Sequence, residues 1–207
     1  MRLYSLKFKR ILFERKAYVL IVLLILGNIA FAQEGEKESH YLKNKLSQID
    51  SLIQIKEFEK ANYLIENTLN TFAFKNNLED KLTFELKSAQ ILYERGDAEG
   101  AIKKLLINFE KLKSRPFASL SIDYAAYLAR IFANSQNFDK AIYYNKMALN
   151  KSKLLKDTVN TTISLIRIGS FYYAKKQIDS AKYYFKRVTY FPVNDKTEVR
   201  IAMLIII

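Results

Sequence analysis

The sequence predicts an all-α protein, an α-α superhelix of about four helical hairpins plus a partial fifth, preceded by an N-terminal signal or anchor helix. Three observations carry that prediction. The first is punctuation: 207 residues hold 5 Gly and 2 Pro, too few for the turns of a sheet protein. The second is a repeat. Slid against itself, the chain matches every 40 residues, with Ala61, Ala101, Ala141 and Ala181 in one column and an acid two residues before each, Glu59, Glu99, Asp139 and Asp179. The third is apolar residues at helical spacing on both sides of a polar stretch in mid-unit, Arg95-Gly96-Asp97, Ser135-Gln136-Asn137 and Lys175-Lys176-Gln177.

Residues 1–32 open the chain with six basic side chains (Arg2, Lys7, Lys9, Arg10, Arg15, Lys16) against Glu14, followed by an apolar run from 17 to 27. That order is the n-region and h-region of a signal peptide, and Ala30-Phe31-Ala32 supplies small residues for cleavage before Gln33. Residues 17–32 fall short of the roughly 20 that a spanning helix needs, and Asn28 interrupts them. Cleavage is the expectation and a retained membrane anchor through 17–32 the alternative. A lipoprotein is excluded, because the chain has no Cys to acylate. The expected address is outside the cytoplasm: periplasm or cell envelope, with inner-membrane anchoring if the leader stays. Residues 33–40 form a polar linker in which His40 reads as a loop histidine.

Composition then limits the chemistry. At 50% hydrophobic and 27% charged residues the chain is globular. Without Cys, and with His40 alone, there is no disulfide framework, thiolate zinc site, thiol nucleophile or His-based triad. No phosphate-cradling Gly loop occurs. Neighbouring acids such as Glu79 and Asp80 lack the buried setting that separates acid from base roles. No enzyme, cofactor or metal site is expected. Losing the leader would remove six positive charges and one negative from a formal net charge of +13. The remainder stays basic, and an exported basic chain rarely meets nucleic acid, so an acidic protein or peptide, or an anionic membrane surface, is the expected partner. The plainer reading is lysine that keeps the chain soluble.

The repeats run 41–80, 81–120, 121–160 and 161–190. Each is read as two antiparallel helices. The acid falls in the first turn of the second helix, where a carboxylate faces the positive end of the macrodipole and contributes about 0.3–1 kcal/mol. The Ala column, with Ile49, Ala89, Ala129 and Gly169 twelve residues before it, marks where two helices close to about 8–10 Å and a large side chain has no room. A further column nine before the Ala reads Leu52, Leu92, Phe132, Tyr172.

These residues resemble the tetratricopeptide repeats. Ile168-Gly169-Ser170-Phe171-Tyr172 is similar to the family's Leu-Gly-x-x-Tyr, and Ala181 to Phe185 to its Ala-x-x-x-Phe. Asn137-Phe138-Asp139-Lys140-Ala141-Ile142-Tyr143-Tyr144 followed by Ala148-Leu149 is similar to its second helix. The family's Trp is absent, and the period exceeds its usual 34, so the resemblance implies a variant with longer helices, with a HEAT-like or other helical-pair repeat as the alternative. The resemblance covers about 41–190 and implies a scaffold that binds protein or peptide on a wall of first helices. By column it nominates Lys43, Lys87, Tyr127 and Arg167, then Asp50, Gln90, Arg130 and Ser170, and deeper Tyr93, Asn134 and Tyr173. That wall reads as basic and aromatic, suited to an acidic or extended peptide. Leu46 and Leu86 occupy columns where the family's carboxylate clamp has Lys. The pairs Tyr143-Tyr144, Tyr172-Tyr173 and Tyr183-Tyr184 recur by column and read as packing ahead of a stacking platform.

Residues 191–207 begin a further helix after Pro192 and Asn194 and end on Ile201-Ala202-Met203-Leu204-Ile205-Ile206-Ile207. That apolar stretch is too short to span a bilayer. It reads as the start of an incomplete repeat, covered by a further domain or by another subunit. Two functions follow: a non-catalytic exported scaffold, with the extracytoplasmic sensory part of a longer regulator as its extension, or an envelope assembly protein that oligomerises through its apolar end.

Overall fold

The computed structural model describes residues 39–71, 78–113 and 118–190. Every regular element among them is a helix. The leader 1–32, most of the linker and residues 191–207 lie outside the described residues. The chain divides into two compact units, 1–48 and 49–207.

In the first unit the described residues 39–48 are helical, with Leu42 buried. Gln48 Nε2 donates to Asn44 Oδ1 at 3.0 Å along that turn. His40 belongs to the helix and is exposed, which corrects its reading as a loop residue. No Gly or Pro stands between it and residue 54 to break the helical run.

The helix, α1, runs on to residue 54, and the second unit continues with α2 (Phe58–Thr71), α3 (Leu78–Glu94), α4 (Ala98–Lys113), α5 (Ala118–Asn134), α6 (Phe138–Leu154), α7 (Thr158–Ala174) and α8 (Ile178–Val188). From α3 to α8 each helix packs on the next in the chain. Helices α3, α5, α6 and α7 are each 17 residues long. Links at 95–97, 135–137, 155–157 and 175–177 add three more, so the 40-residue period is two half-repeats of one design, with longer helices than a 34-residue unit can hold.

The links explain why so little Gly suffices. Helices α1, α3, α5, α6 and α7 each run into a link whose middle residue has positive φ: Lys56 (61°), Gly96 (93°), Gln136 (59°), Lys156 (56°) and Lys176 (59°). In each, the amide of that residue and of the next fold back on the last turn; in the second link of the series, Gly96 N donates to Tyr93 O and Asp97 N to Leu92 O, both at 2.9 Å. This is the Schellman pattern that satisfies orphan carbonyls. The third link residue then caps the next helix. Asp97 Oδ1 accepts from Gly100 N at 2.8 Å, Asn137 Oδ1 from Lys140 N at 3.2 Å, and Asp157 Oδ1 from Asn160 N at 2.9 Å. Gln177 makes no such bond.

The matched columns sit at the helix crossings. Ala61, Ala101, Ala141 and Ala181 are all 0% exposed, as are Ile49, Ala89 and Ala129. At the remaining position a Cβ on Gly169 would lie 2.5 Å from the Phe185 ring. The acids Glu59, Glu99, Asp139 and Asp179 each stand in the first turn of a second helix.

Candidate functional site

First helices α3, α5 and α7 line a depression of about 520 Å³. Of the nominated residues, Lys87, Gln90, Tyr127, Arg130 and Arg167 meet there. Tyr93 stands beside them: Asn134 Nδ2 donates to its hydroxyl at 2.6 Å, and its ring meets Tyr127 edge-on at 6.1 Å. Ser170 and Tyr173 are exposed on α7 but do not line the depression, and Lys43 lies in the first unit, exposed.

The wall is more mixed in charge than its basic reading. Lys87 Nζ is 2.5 Å from Asp50 Oδ1, and Arg130 Nη2 is 2.5 Å from Glu94 Oε1. Glu79 and Asp123 share the lining. Asp123 reaches solvent, yet the protein atoms around its carboxyl raise its pKa above the usual carboxylate range; Lys87 draws it back down and Asp157 pushes it further up. Column arithmetic missed these acids because they do not recur at 40 residues.

Tyr127 is held differently from a presented contact residue. It is 8% exposed, and its hydroxyl is buried without a hydrogen-bond partner. Burial pushes its pKa up to about 12, against the nearby Arg130 cation, whose guanidinium lies 4.8 Å from the ring centroid. The ring is thus a floor on which Arg130 rests. Leu86, at a position where the family's clamp has Lys, is also in that floor and buried.

A second spacing, of 36 residues, ties neighbouring repeats. Glu59 pairs with Arg95 (3.6 Å), Glu94 with Arg130, and Asp139 with Lys175. Acids of the macrodipole column therefore also reach the end of the next first helix. A search for opposite charges at 36 residues would have found this ladder in the sequence. The spacing of 37 that joins Asp50 to Lys87 falls, two repeats later, on Arg130 and Arg167. Where one junction holds an ion pair, the other sets two guanidiniums in one depression.

The paired tyrosines divide their work. Tyr144, Tyr172 and Tyr184 face inward, with Phe132 stacked on Tyr144 (5.6 Å) and Tyr172 on Tyr184 (5.5 Å). Tyr143, Tyr173 and Tyr183 are 50–59% exposed. Among the described residues no group of three or more His, Asp or Glu is placed to hold a metal ion, and no helix is long and apolar enough to cross a membrane.

No family model matches the sequence, and no curated protein matches it. Solved structures do match in fold. The chain is similar to BtubC (BKLC) from P. vanneervenii, with 18% identity and a TM-score of 0.61 over 68% of this chain and 57% of that one. It is also similar to the nearly identical TPR-like repeats assigned to a Podosopora anserina kinesin light chain, in two crystal structures, each with 14% identity and a TM-score of 0.60 over 71% of this chain and 72% of the other. The chain thus spans little more than half of the first of these proteins. The architecture is that of a TPR-like helical solenoid.

Proposed function

We propose that this chain is a non-catalytic, exported scaffold that holds a protein or peptide segment along its first-helix wall. The observation that carries the reading is the junction of α5 and α7. There Arg130 and Arg167 occupy the two places that Asp50 and Lys87 fill as an ion pair two junctions earlier, and Tyr127 supplies the floor. Two guanidiniums in one depression suit a carboxylate-bearing segment, since Arg presents a planar fork to such a group. Asp123 on the same wall suits a donor from the same segment, so the ligand is an extended peptide with an acidic residue and a neighbouring polar or basic one. Export rests on the leader's charge and hydropathy order, and service as the sensory part of a longer regulator is its natural extension.

Arrays of immobilised peptides, with acidic residues scanned through a neutral background, provide the test. Acidic peptides should be retained by the full chain and lost in proportion to ionic strength. The double variant Arg130→Glu with Arg167→Glu should lower that retention by at least ten-fold with its helical circular dichroism intact. Retention unaffected by the double reversal would remove the site from this wall.

A further inference from the structure

The charges of the second unit are segregated. Residues 138–190 contain eleven Lys and Arg against the three acids Asp139, Asp157 and Asp179, whereas residues 49–113 contain ten against eleven. Two of the three acids of the basic stretch are engaged locally: Asp139 pairs with Lys175 and Asp157 caps α7, while Asp179 is exposed in the first turn of α8. Positive charge on the second-helix side of α6 and α8 therefore outnumbers the acids there. Lys153, Lys182 and Lys186 are exposed there. Lys153 and Arg187 stand close enough that, after burial, their repulsion contributes to lowering the pKa of Lys153.

Large rings are interleaved with these cations. Tyr143 and Tyr183 occupy the same column of α6 and α8 and are 58% and 59% exposed. The Arg187 guanidinium lies 5.4 Å from the Tyr183 ring centroid, which holds that ring upright beside a charge. Tyr190 follows at 73% exposure. On α2 the same column carries Tyr63, 70% exposed, but with Glu66 where α8 has Lys186. Glu59 and Glu66 thus outnumber Lys60 on that helix, whereas Asp179 stands against Lys182, Lys186 and Arg187 on α8.

We propose that the second-helix face of α6 and α8 docks on the surface of an anionic phospholipid bilayer. Charge supplies attraction to the headgroups, about an order of magnitude in binding for each one or two basic residues near the surface. The tyrosines decide between a bilayer and a soluble polyanion. An exposed ring with a polar tip gains from the headgroup boundary, where its body is dehydrated and its hydroxyl stays wet, and gains nothing from a hydrated acidic polymer. The segregation of charge also sets orientation, with the near-neutral first hairpins turned away from the lipid. This inference uses none of the residues assigned to the first-helix wall and stands or falls separately from it.

The chain contains no Trp, so a single substitution makes a local reporter in the full-length protein, leader included. Tyr183→Trp emission should move to the blue by several nanometres, and be quenched by brominated acyl chains, with vesicles of three parts phosphatidylcholine to one part phosphatidylglycerol. Pure phosphatidylcholine should do neither. Tyr63→Trp, in the same column but among acids, should stay unshifted with either vesicle. In the Tyr183→Trp background, Lys182→Ala with Lys186→Ala should weaken partitioning about thirty-fold, while Lys60→Ala with Lys81→Ala leaves it unchanged. An unshifted Tyr183→Trp, or an equal shift at Tyr63→Trp, would overturn the proposal. Poly-aspartate shifting the Tyr183→Trp emission as far as the vesicles do would overturn it in favour of an acidic polymer.

Discussion

Hairpins α3–α4 and α7–α8 share a backbone and differ in what fills the gap between their helices. In α7–α8 the rings of Tyr172 and Tyr184 stack at 5.5 Å, and α5–α6 repeats the arrangement with Phe132 and Tyr144 at 5.6 Å. In α3–α4 the same two columns are Leu92 and Lys104. Lys104 Nζ donates to Ser88 Oγ at 2.7 Å and lies 2.8 Å from Glu85 Oε2, at an angle that makes this second contact an ion pair without a well-formed hydrogen bond. A depression of about 430 Å³, lined by Glu85, Lys103, Lys104 and Asn108 among others, opens beside it. The crossing alanine and the three-residue link are thus what the repeat requires. The outer columns are free to use dispersion in one hairpin and charge in another, and the two choices should respond differently to crowding and to loss of a partner.

The largest separation between them should come from overfilling the crossing. Ala141→Leu adds three carbons at a fully buried position in the core cluster that holds Phe132 with Tyr144 packed against it, and overpacking of this kind costs typically 1–3 kcal/mol. We expect about 3 kcal/mol there, read as a fall of roughly 10 °C in melting temperature. Ala101→Leu, equally buried but preceded by Gly100, which lines the open depression, should cost less, about 1 kcal/mol. Equal losses at both sites would show that the gap filling does not matter to the crossing.

Removing a cation should separate the hairpins next. Lys104→Met strands Glu85, whose side chain is only 20% exposed, and should cost about 2 kcal/mol, less than a fully buried pair because water can reach the carboxylate. Glu85→Leu added to it should recover most of the loss. Lys146→Met in the aromatic hairpin leaves the ring stack intact and should cost under about 1 kcal/mol. The Tyr172 hydroxyl, at 3.1 Å, is the main cause that raises the pKa of Lys146. Its contribution is therefore complete below the ordinary lysine value of 10.5 and is lost only as pH climbs through the raised one. Urea titrations of the three variants at pH 7 provide the measurement, with a larger loss for Lys146→Met than for Lys104→Met as the contrary result.

How far the sequence displayed all this follows from periodicity. The Ala column and the acid before it recur because every crossing and every second-helix start imposes the same steric and dipolar demand, so both are legible without coordinates. The identity of the links was half legible: Asp97, Asn137 and Asp157 are recognisable caps, but Lys56, Gln136, Lys156 and Lys176 give no sign of positive φ, since Gly marks only one of the five positions. The wall was legible as a set of columns, and α3, α5 and α7 do bring Lys87, Gln90, Tyr127, Arg130 and Arg167 into one depression. Its charge balance was not. Asp123 and Glu79 enter from single repeats, and the pairing of Arg130 with Glu94 depends on the offset between neighbouring helices, which a 40-residue register does not contain.

The smallest expected effect concerns those links and has the sharpest sign. At 155–157 the cap is Asp157, whose carboxyl is held below the usual range first by the Asn160 backbone N–H and then by its side chain. At 175–177 the equivalent residue is Gln177, with no side-chain bond to α8. Gln177→Asp should install one and stabilise the protein by about 0.5–1 kcal/mol. A capping carboxylate with a lowered folded pKa contributes stability above the unfolded value near 3.8, and that contribution disappears as pH falls through the folded value. The gain should therefore be full at pH 7 and vanish in acid, where the protonated group no longer favours the α8 amides. Asp157→Ala should show the mirror image, a loss at pH 7 that closes over the same acid range. A gain from Gln177→Asp that persisted unchanged into acid would mean that the substitution acts through the unfolded chain or through helix propensity, and that the uncapped start of α8 costs the fold nothing.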